Sequence, residues 1–243
     1  MMGKVIMSGI VPLLKAPVTG VLASSLAVGS TVKLMENGAA VEYLVVNQGI
    51  PSNSNLYDSS CNGTWLLRKT LVAKNNFNAN KAGNIYADST VDIYLNNDFF
   101  NSLGGVEKTT IKQVKIPYVS SAGPHTSQQT VSIGDNGHSC KVFILGGNEI
   151  GLDMEGSVDD GARLSYFINA TTATLIAYYN GIATKWWTRT TDITTTGLIY
   201  VVEENGGSTT QSYYGYGYGY RPALVLPSNA LFDETTKLLK GIK

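Results

Sequence analysis

From Tyr214 to Tyr220, tyrosine and glycine alternate without a break: Tyr214, Gly215, Tyr216, Gly217, Tyr218, Gly219, Tyr220. Alternation is the period of a β-strand, in which every second side chain points to the same face. A strand here sets a row of rings on one side and leaves the other side bare. Each ring brings apolar area and a hydroxyl that needs water or a partner. Tyrosine beside glycine and serine is also the chemistry of antibody paratopes, with rigid amphipathic rings and adaptable polar neighbours. The row, with Tyr213 before it, is therefore expected to be an exposed, ligand-binding face. Two other readings stay open. One is a core stripe whose glycines admit a second backbone, at the cost of burying phenol hydroxyls that each need a partner. The other is a flexible glycine–tyrosine loop.

Composition agrees with a β-rich, loop-rich adhesive chain. Charged residues make up only 15% of 243, and Lys+Arg 18 balances Asp+Glu 18. Binding nucleic acid needs clustered positive charge, and the nearest approach, residues 108–115, is diluted by threonine and isoleucine. No nucleic-acid partner is expected. No stretch reaches the roughly 20 apolar residues that cross a bilayer, so membrane insertion is not expected either. The apolar run after Lys4 is broken by Pro12 and ended by Lys15, so residues 1–27 read as an N-terminal arm and assembly contact rather than a targeting signal. Residues 28–228 read as one domain, followed by a tail, 229–243.

The expected fold class is α+β, antiparallel sheet with a few short helices. Residues 29–34 and 40–46 read as strands joined at Asn37-Gly38, a strong hairpin signal. Another strand is expected over 64–72. Ser89 caps a helix in which Val91, Tyr94, Leu95, Phe99 and Leu103 recur at helical spacing, stopped by Gly104-Gly105. Strands return at 111–118 and 141–145, with a long surface loop over 120–137 between them. Two short helices are expected within 161–179. Strands follow at 185–190, 198–202, 211–220 and 223–226. Asp233 and Glu234 ahead of Leu238, Leu239 and the final lysines suggest a short terminal helix.

Catalytic chemistry finds little to stand on. His125 and His138 lie in polar, glycine-rich loops and read as solvated groups. Asp153, Glu155, Asp159 and Asp160 form an acidic cluster without the D-x-D-x-D-G order of a calcium loop, so no metal or cofactor is expected. Glu149 reads as an internal hydrogen-bonding residue or a helix-start acid. Cys61 and Cys140 have none of the close-spaced partners of a zinc cage. They read as two buried free thiols, with a disulfide left open. No P-loop, G-x-S-x-G or dinucleotide fingerprint occurs, and the chain is not expected to be an enzyme.

Two segments carry a recognisable pattern: Trp186-Trp187-Thr188-Arg189-Thr190, and about thirty residues later Gly219-Tyr220-Arg221-Pro222-Ala223-Leu224-Val225-Leu226. With residues 57–67, 111–118 and 141–145, they resemble a family of gut-bacterial and phage proteins bearing W-W-x-R and a terminal G-x-R-P-A-L-x-L. That family looks like a variant of the C-type lectin fold, related to the formylglycine-generating-enzyme type and to the variable proteins of diversity-generating retroelements. The resemblance implies that Trp186, Trp187, Arg189 and Arg221 are scaffold; by their own chemistry Arg189 and Arg221 read as braces of the final loop through carboxylates or backbone carbonyls, with direct anion binding the other reading. The resemblance also places Tyr213, Tyr214, Tyr216 and Tyr218 where ligand contacts lie, while Tyr220 is expected to bind as the last ring of the alternating row. The calcium signature of sugar-binding lectins is absent, and no cysteine follows Cys140, so neither a calcium-bridged glycan site nor copper-dependent oxidation is implied. Residues 3–17 look like the N-termini of phage structural proteins. The expectation is a virion-associated or bacterial-surface binding protein, homo-oligomeric, with a trimer implied by relatives that have receptor roles, that recognises a host-surface protein or glycan. One alternative is a capsid-decoration or tail subunit whose face contacts other virion subunits. The other is a hydrolase of cell-surface polymers, which would need a cleft joining a histidine to residues 153–160.

Overall fold

Asn37 and Gly38 both take positive φ, 47° and 78°, and close a two-residue hairpin between Thr31–Glu36 and Ala39–Gln48. These strands form the edge of a five-stranded antiparallel sheet, completed by Thr64–Arg68, Ala223–Leu226 and Val142–Phe143. The computed structural model describes residues 19–79, 83–121, 130–152, 154, 159–192, 195 and 197–243. A second five-stranded sheet runs Ser208–Ser212, Leu198–Val202, Trp186–Thr191, Tyr218–Tyr220, Ala73–Asn75. Trp186–Thr191 and Tyr218–Tyr220 pair in parallel, and its other pairings are antiparallel. With few, short helices beside these sheets, the fold class is α+β.

The two sheets share a ribbon. Ala73–Asn75 pairs with Tyr218–Tyr220 in the second sheet, and Thr64–Arg68 pairs with Ala223–Leu226 in the first. Both strands therefore cross between sheets side by side. Backbone hydrogen bonds from Val72 N to Tyr220 O and from Arg68 N to Pro222 O hold the crossing. Pro222, which has no N–H to offer a ladder, stands at the gap between the strands. The G-x-R-P-A-L-x-L segment thus spans both sheets.

Ser89 Oγ accepts from Asp92 N and starts a helical run over Thr90–Tyr94, Leu95–Phe99 and Phe100–Ser102. Val91, Leu95 and Phe99 point inward, as their spacing predicts. Asn96 ties this run to the first sheet, donating to Val142 O and accepting from Lys141 N and Val142 N. After Leu103 the chain is extended, and a new helix, Gly105–Thr110, begins.

Four sequence expectations are corrected. The terminal segment is not a helix. Asp233 Oδ1 accepts from the backbone of Thr235 and Thr236, Lys237 takes φ 62°, and the chain returns as a strand. Ala230–Phe232 pairs with Leu239–Ile242 and with Val21–Leu22, and Phe232 and Leu239 enter the common core. The segments flanking residues 28–228 are therefore built into one body here; residues 1–18 lie outside the described residues. The two short helices expected within 161–179 are present, a 3-10 turn at Ser165–Phe167 and an α turn at Thr172–Leu175, but the helical pattern stops there and Tyr178–Tyr179 forms a small hairpin with Ile182–Ala183. The expected loop over 120–137 contains a strand, Thr130–Ser132, paired with Tyr118–Ser121, and a 3-10 turn, Gly134–Asn136. Finally, 211–220 is not one strand: it breaks after Ser212 and resumes at Tyr218.

Candidate binding surface

The W-W-x-R strand is the hub from which the tyrosine segment is held. Adjacent strand residues face opposite ways, and both tryptophans are sealed, one on each face. Trp186 Nε1 donates to Leu175 O, and the Arg221 guanidinium lies 5.1 Å from the Trp186 ring centroid. Arg221 Nε donates to Arg68 O at the sheet crossing. Burial pushes the Arg221 pKa down to about 10, which leaves it charged at neutral pH. Trp187 Nε1 donates to Asn75 O, and its ring packs between Phe77, at 5.7 Å, and Tyr218, at 5.0 Å.

Arg189, two positions further along, is fully buried, with an acceptor for each of its five donors. Nε donates to Pro117 O, Nη1 to Ile144 O and Glu149 Oε2, and Nη2 to Asp160 O and Glu149 Oε1. Both contacts to Glu149 are 2.6 Å, a bidentate pair. Burial alone works against the guanidinium's charge; the Glu149 carboxylate overcomes it and holds Arg189 above its ordinary value. Glu149 also accepts from Tyr57 Oη and from Gly146 N at the start of its own helical turn. Both sequence readings of Glu149, internal acceptor and helix-start acid, describe what it does.

Asp160 joins this centre through Thr190, whose hydroxyl donates to the Asp160 carboxylate and accepts from Gly147 N. Two carboxylates and one guanidinium share a dry space, so the charges balance only if one carboxyl keeps its proton. Burial pushes Asp160 up to about 6, against the opposing influence of Arg189 and Thr190. A folded-state pKa raised above the unfolded value of about 3.9 contributes stability that is complete below pH ~4 and lost as pH rises through about 6. Urea unfolding of wild type should therefore gain about 2 kcal/mol, relative to Asp160→Asn, on going from pH 7 to pH 4. Parallel pH profiles for the two proteins would remove Asp160 as the cause.

The tyrosine segment is anchored at both ends and open between them. Tyr213 is half-buried; its N–H donates to Gly197 O, and its carbonyl accepts from Asn78 N. Tyr214 and Tyr216 are 41% and 46% exposed. Tyr216 stacks on Tyr218, with centroids 5.6 Å apart and planes 11° from parallel, and Tyr218 in turn packs on Trp187. Lys185 Nζ sits 6.0 Å from the Tyr218 ring centroid and is held by Glu203 at 3.2 Å and Glu204 at 3.9 Å. Tyr220 corrects the expectation of a uniformly exposed row. It is 1% exposed, packs against Tyr94 and donates its hydroxyl to Asn76 O, and burial pushes its phenol well up. The ladder with Ala73, the Asn76 carbonyl and the Tyr94 ring draw Tyr220 inward, while Gly215 at φ +96° separates Tyr214 from the rings that follow. The row is neither one exposed face nor one core stripe, but a passage from core to solvent.

The remaining candidates scatter. His138 Nε2 sits 2.9 Å from Asp92 Oδ2 and is wedged between Tyr86 and Tyr118, a half-buried link rather than a solvated group. His125, Asp153 and Glu155 lie outside the described residues. Asp159 is exposed while Asp160 is buried. Among the described residues no cluster of His, Cys, Asp and Glu is arranged to hold a metal. Cys61 and Cys140 are free and buried, and burial pushes Cys61 to about 12 and Cys140 well up. A cleft of about 290 Å³ lies between Ile150–Leu152, Thr171–Thr172 and Gly206–Ser208, away from the tyrosines. Sequence reasoning passed over Asn75, Lys185, Glu203 and Glu204, which frame the aromatic stack. Their nearness depends on pairings between distant strands, which local pattern does not carry.

The fold and this surface define an α+β domain that presents an aromatic stack from a sealed ionic and aromatic hub. Residues 62–228 match a family described as a domain of unknown function (DUF6273), and the chain belongs to that family. No curated protein and no solved structure gives a match.

Proposed function

We propose that this is a binding module of C-type-lectin-like architecture, displayed on a virion or a bacterial surface, that recognises a host-surface ligand through Tyr214, Tyr216 and Tyr218. The observation that carries this reading is the stack itself: exposed Tyr216 on Tyr218, and Tyr218 on buried Trp187. Rings fixed in this way lose little freedom on binding, which is how rigid aromatic anchors contribute affinity. The architecture supports the lectin-like part. The tryptophan strand and the G-x-R-P strand lie side by side, Trp186 opposite Gly219, and the open segment leads directly into the second of them. Arg189 and Arg221 act as braces, through carboxylate, carbonyl and indole contacts.

The test is tyrosine nitration followed by peptide mass spectrometry, with the protein free and bound to target bacterial cells. Tyr214 and Tyr216 should react in the free protein and be protected on cells, while Tyr220 stays unmodified in both. Protection by neighbouring subunits in an assembled particle, without cells, would instead assign the surface to subunit contact. Equal labelling of Tyr216 in every state would remove it from any interface.

A further inference from the structure

Resting on that reading, we infer that the ligand taken by this surface is an uncharged saccharide, stacked on the outer face of Tyr216. One face of the Tyr216 ring is used on Tyr218, so its 46% exposure comes from the other face and the phenol edge. A flat, electron-rich ring face suits the C–H-bearing face of a pyranose, whose hydrogens carry partial positive charge. A sugar also needs donors and acceptors around the ring, and the segment offers them. No heavy atom lies within 4 Å of where a side chain on Gly215 or Gly217 would begin, so both peptides are open to approach. Among the described residues no backbone hydrogen bond ties the Gly215, Tyr216 or Gly217 peptides into either sheet. Asn75, directly opposite Tyr218 in the ladder, is exposed and adds an amide.

Charge decides between ligand classes. Stacking alone would also suit a nucleobase, but single-stranded nucleic acid needs a basic groove along its backbone. The cation beside the stack, Lys185, is already engaged by Glu203 and Glu204. One cation against two carboxylates gives phosphate, sulfate or uronate nothing to neutralise. For a basic peptide the surplus is a single carboxylate, Glu204, 3.9 Å from Lys185, too little for the clustered negative charge that several cations would require.

The experiment is affinity electrophoresis of the full chain in native gels containing a mannan, a galactan or a β-glucan, with polygalacturonate in parallel. At least one neutral polymer should retard the protein, and the retardation should persist in high salt. Tyr216→Ala should weaken it about tenfold or more, the loss of roughly 1.4 kcal/mol, whereas Tyr178→Ser, an exposed tyrosine on a different hairpin, should leave it unchanged. Retardation by polygalacturonate alone, or loss in high salt, overturns the uncharged class. Labelled protein on periodate-oxidised bacterial cells separates the remaining outcomes. Tyr216-dependent binding that survives oxidation, with no polymer bound, means a protein ligand: the inference fails and the recognition reading stands. Absence of any Tyr216-dependent binding to polymers or cells removes both.

Discussion

Glu149→Gln is expected to lower the stability of the folded chain by about 3–5 kcal/mol, the usual consequence of removing one partner from a buried ion pair. The magnitude follows from what is stranded. The Arg189 guanidinium is 0% exposed, and two of its five donors end on Glu149 oxygens. An amide keeps one acceptor and turns a donor toward the guanidinium, so the charge loses its bidentate partner and keeps only Asp160, which it touches through the backbone carbonyl rather than the carboxylate. The damage should spread, because the same guanidinium grips Pro117 O, Ile144 O and Asp160 O from three separate stretches of chain. For a domain of this size the loss corresponds to a melting temperature lower by about 10 °C or more. Thermal unfolding followed by circular dichroism measures it. A shift of only a degree or two would mean that water reaches the pair and that Arg189 is not the pin of the fold.

Much of the frame was legible because it depends on local signals. Asn37-Gly38 requires left-handed backbone, so the first hairpin could be placed to within a residue or two. Ser89 and the spacing of Val91, Leu95 and Phe99 fix a helix regardless of what it packs on. Ala223–Leu226, an unbroken apolar run after proline, reads as a buried strand and is one. The errors have physical causes of the same kind. Asp233 and Glu234 look like helix-start acids, but the Asp233 side chain captures the backbone two and three residues on and makes a turn, and Leu239 gains more by entering the core as strand. The alternation of Tyr214 to Tyr220 has the period of a strand, yet glycine is permissive as well as periodic, and Gly215 uses that permission. Tyr220 is drawn inward by the ladder with Ala73 and by the acceptor at Asn76 O, both contributed from about 145 residues away in sequence. The counter-ion of Arg189, forty residues distant, was likewise beyond any local pattern. Sequence named the arginine as a brace, but only the fold supplies what it braces against.

The second large effect concerns binding and leaves the frame alone. Tyr214 and Tyr216 are exposed, and replacing exposed residues usually changes stability by no more than about 0.5 kcal/mol. Removing two anchors from a rigid aromatic patch, each worth about 1–3 kcal/mol, should weaken binding about a hundredfold. Tyr220→Ala should behave in the opposite way, costing about 3–5 kcal/mol of stability as a buried aromatic deletion. The decisive measurement is therefore the binding isotherm of Tyr214→Ser/Tyr216→Ser on target bacterial cells, taken beside its melting curve. A rigid frame presenting these rings to an outside ligand predicts affinity lost and melting temperature unchanged; affinity retained with the fold intact would contradict it.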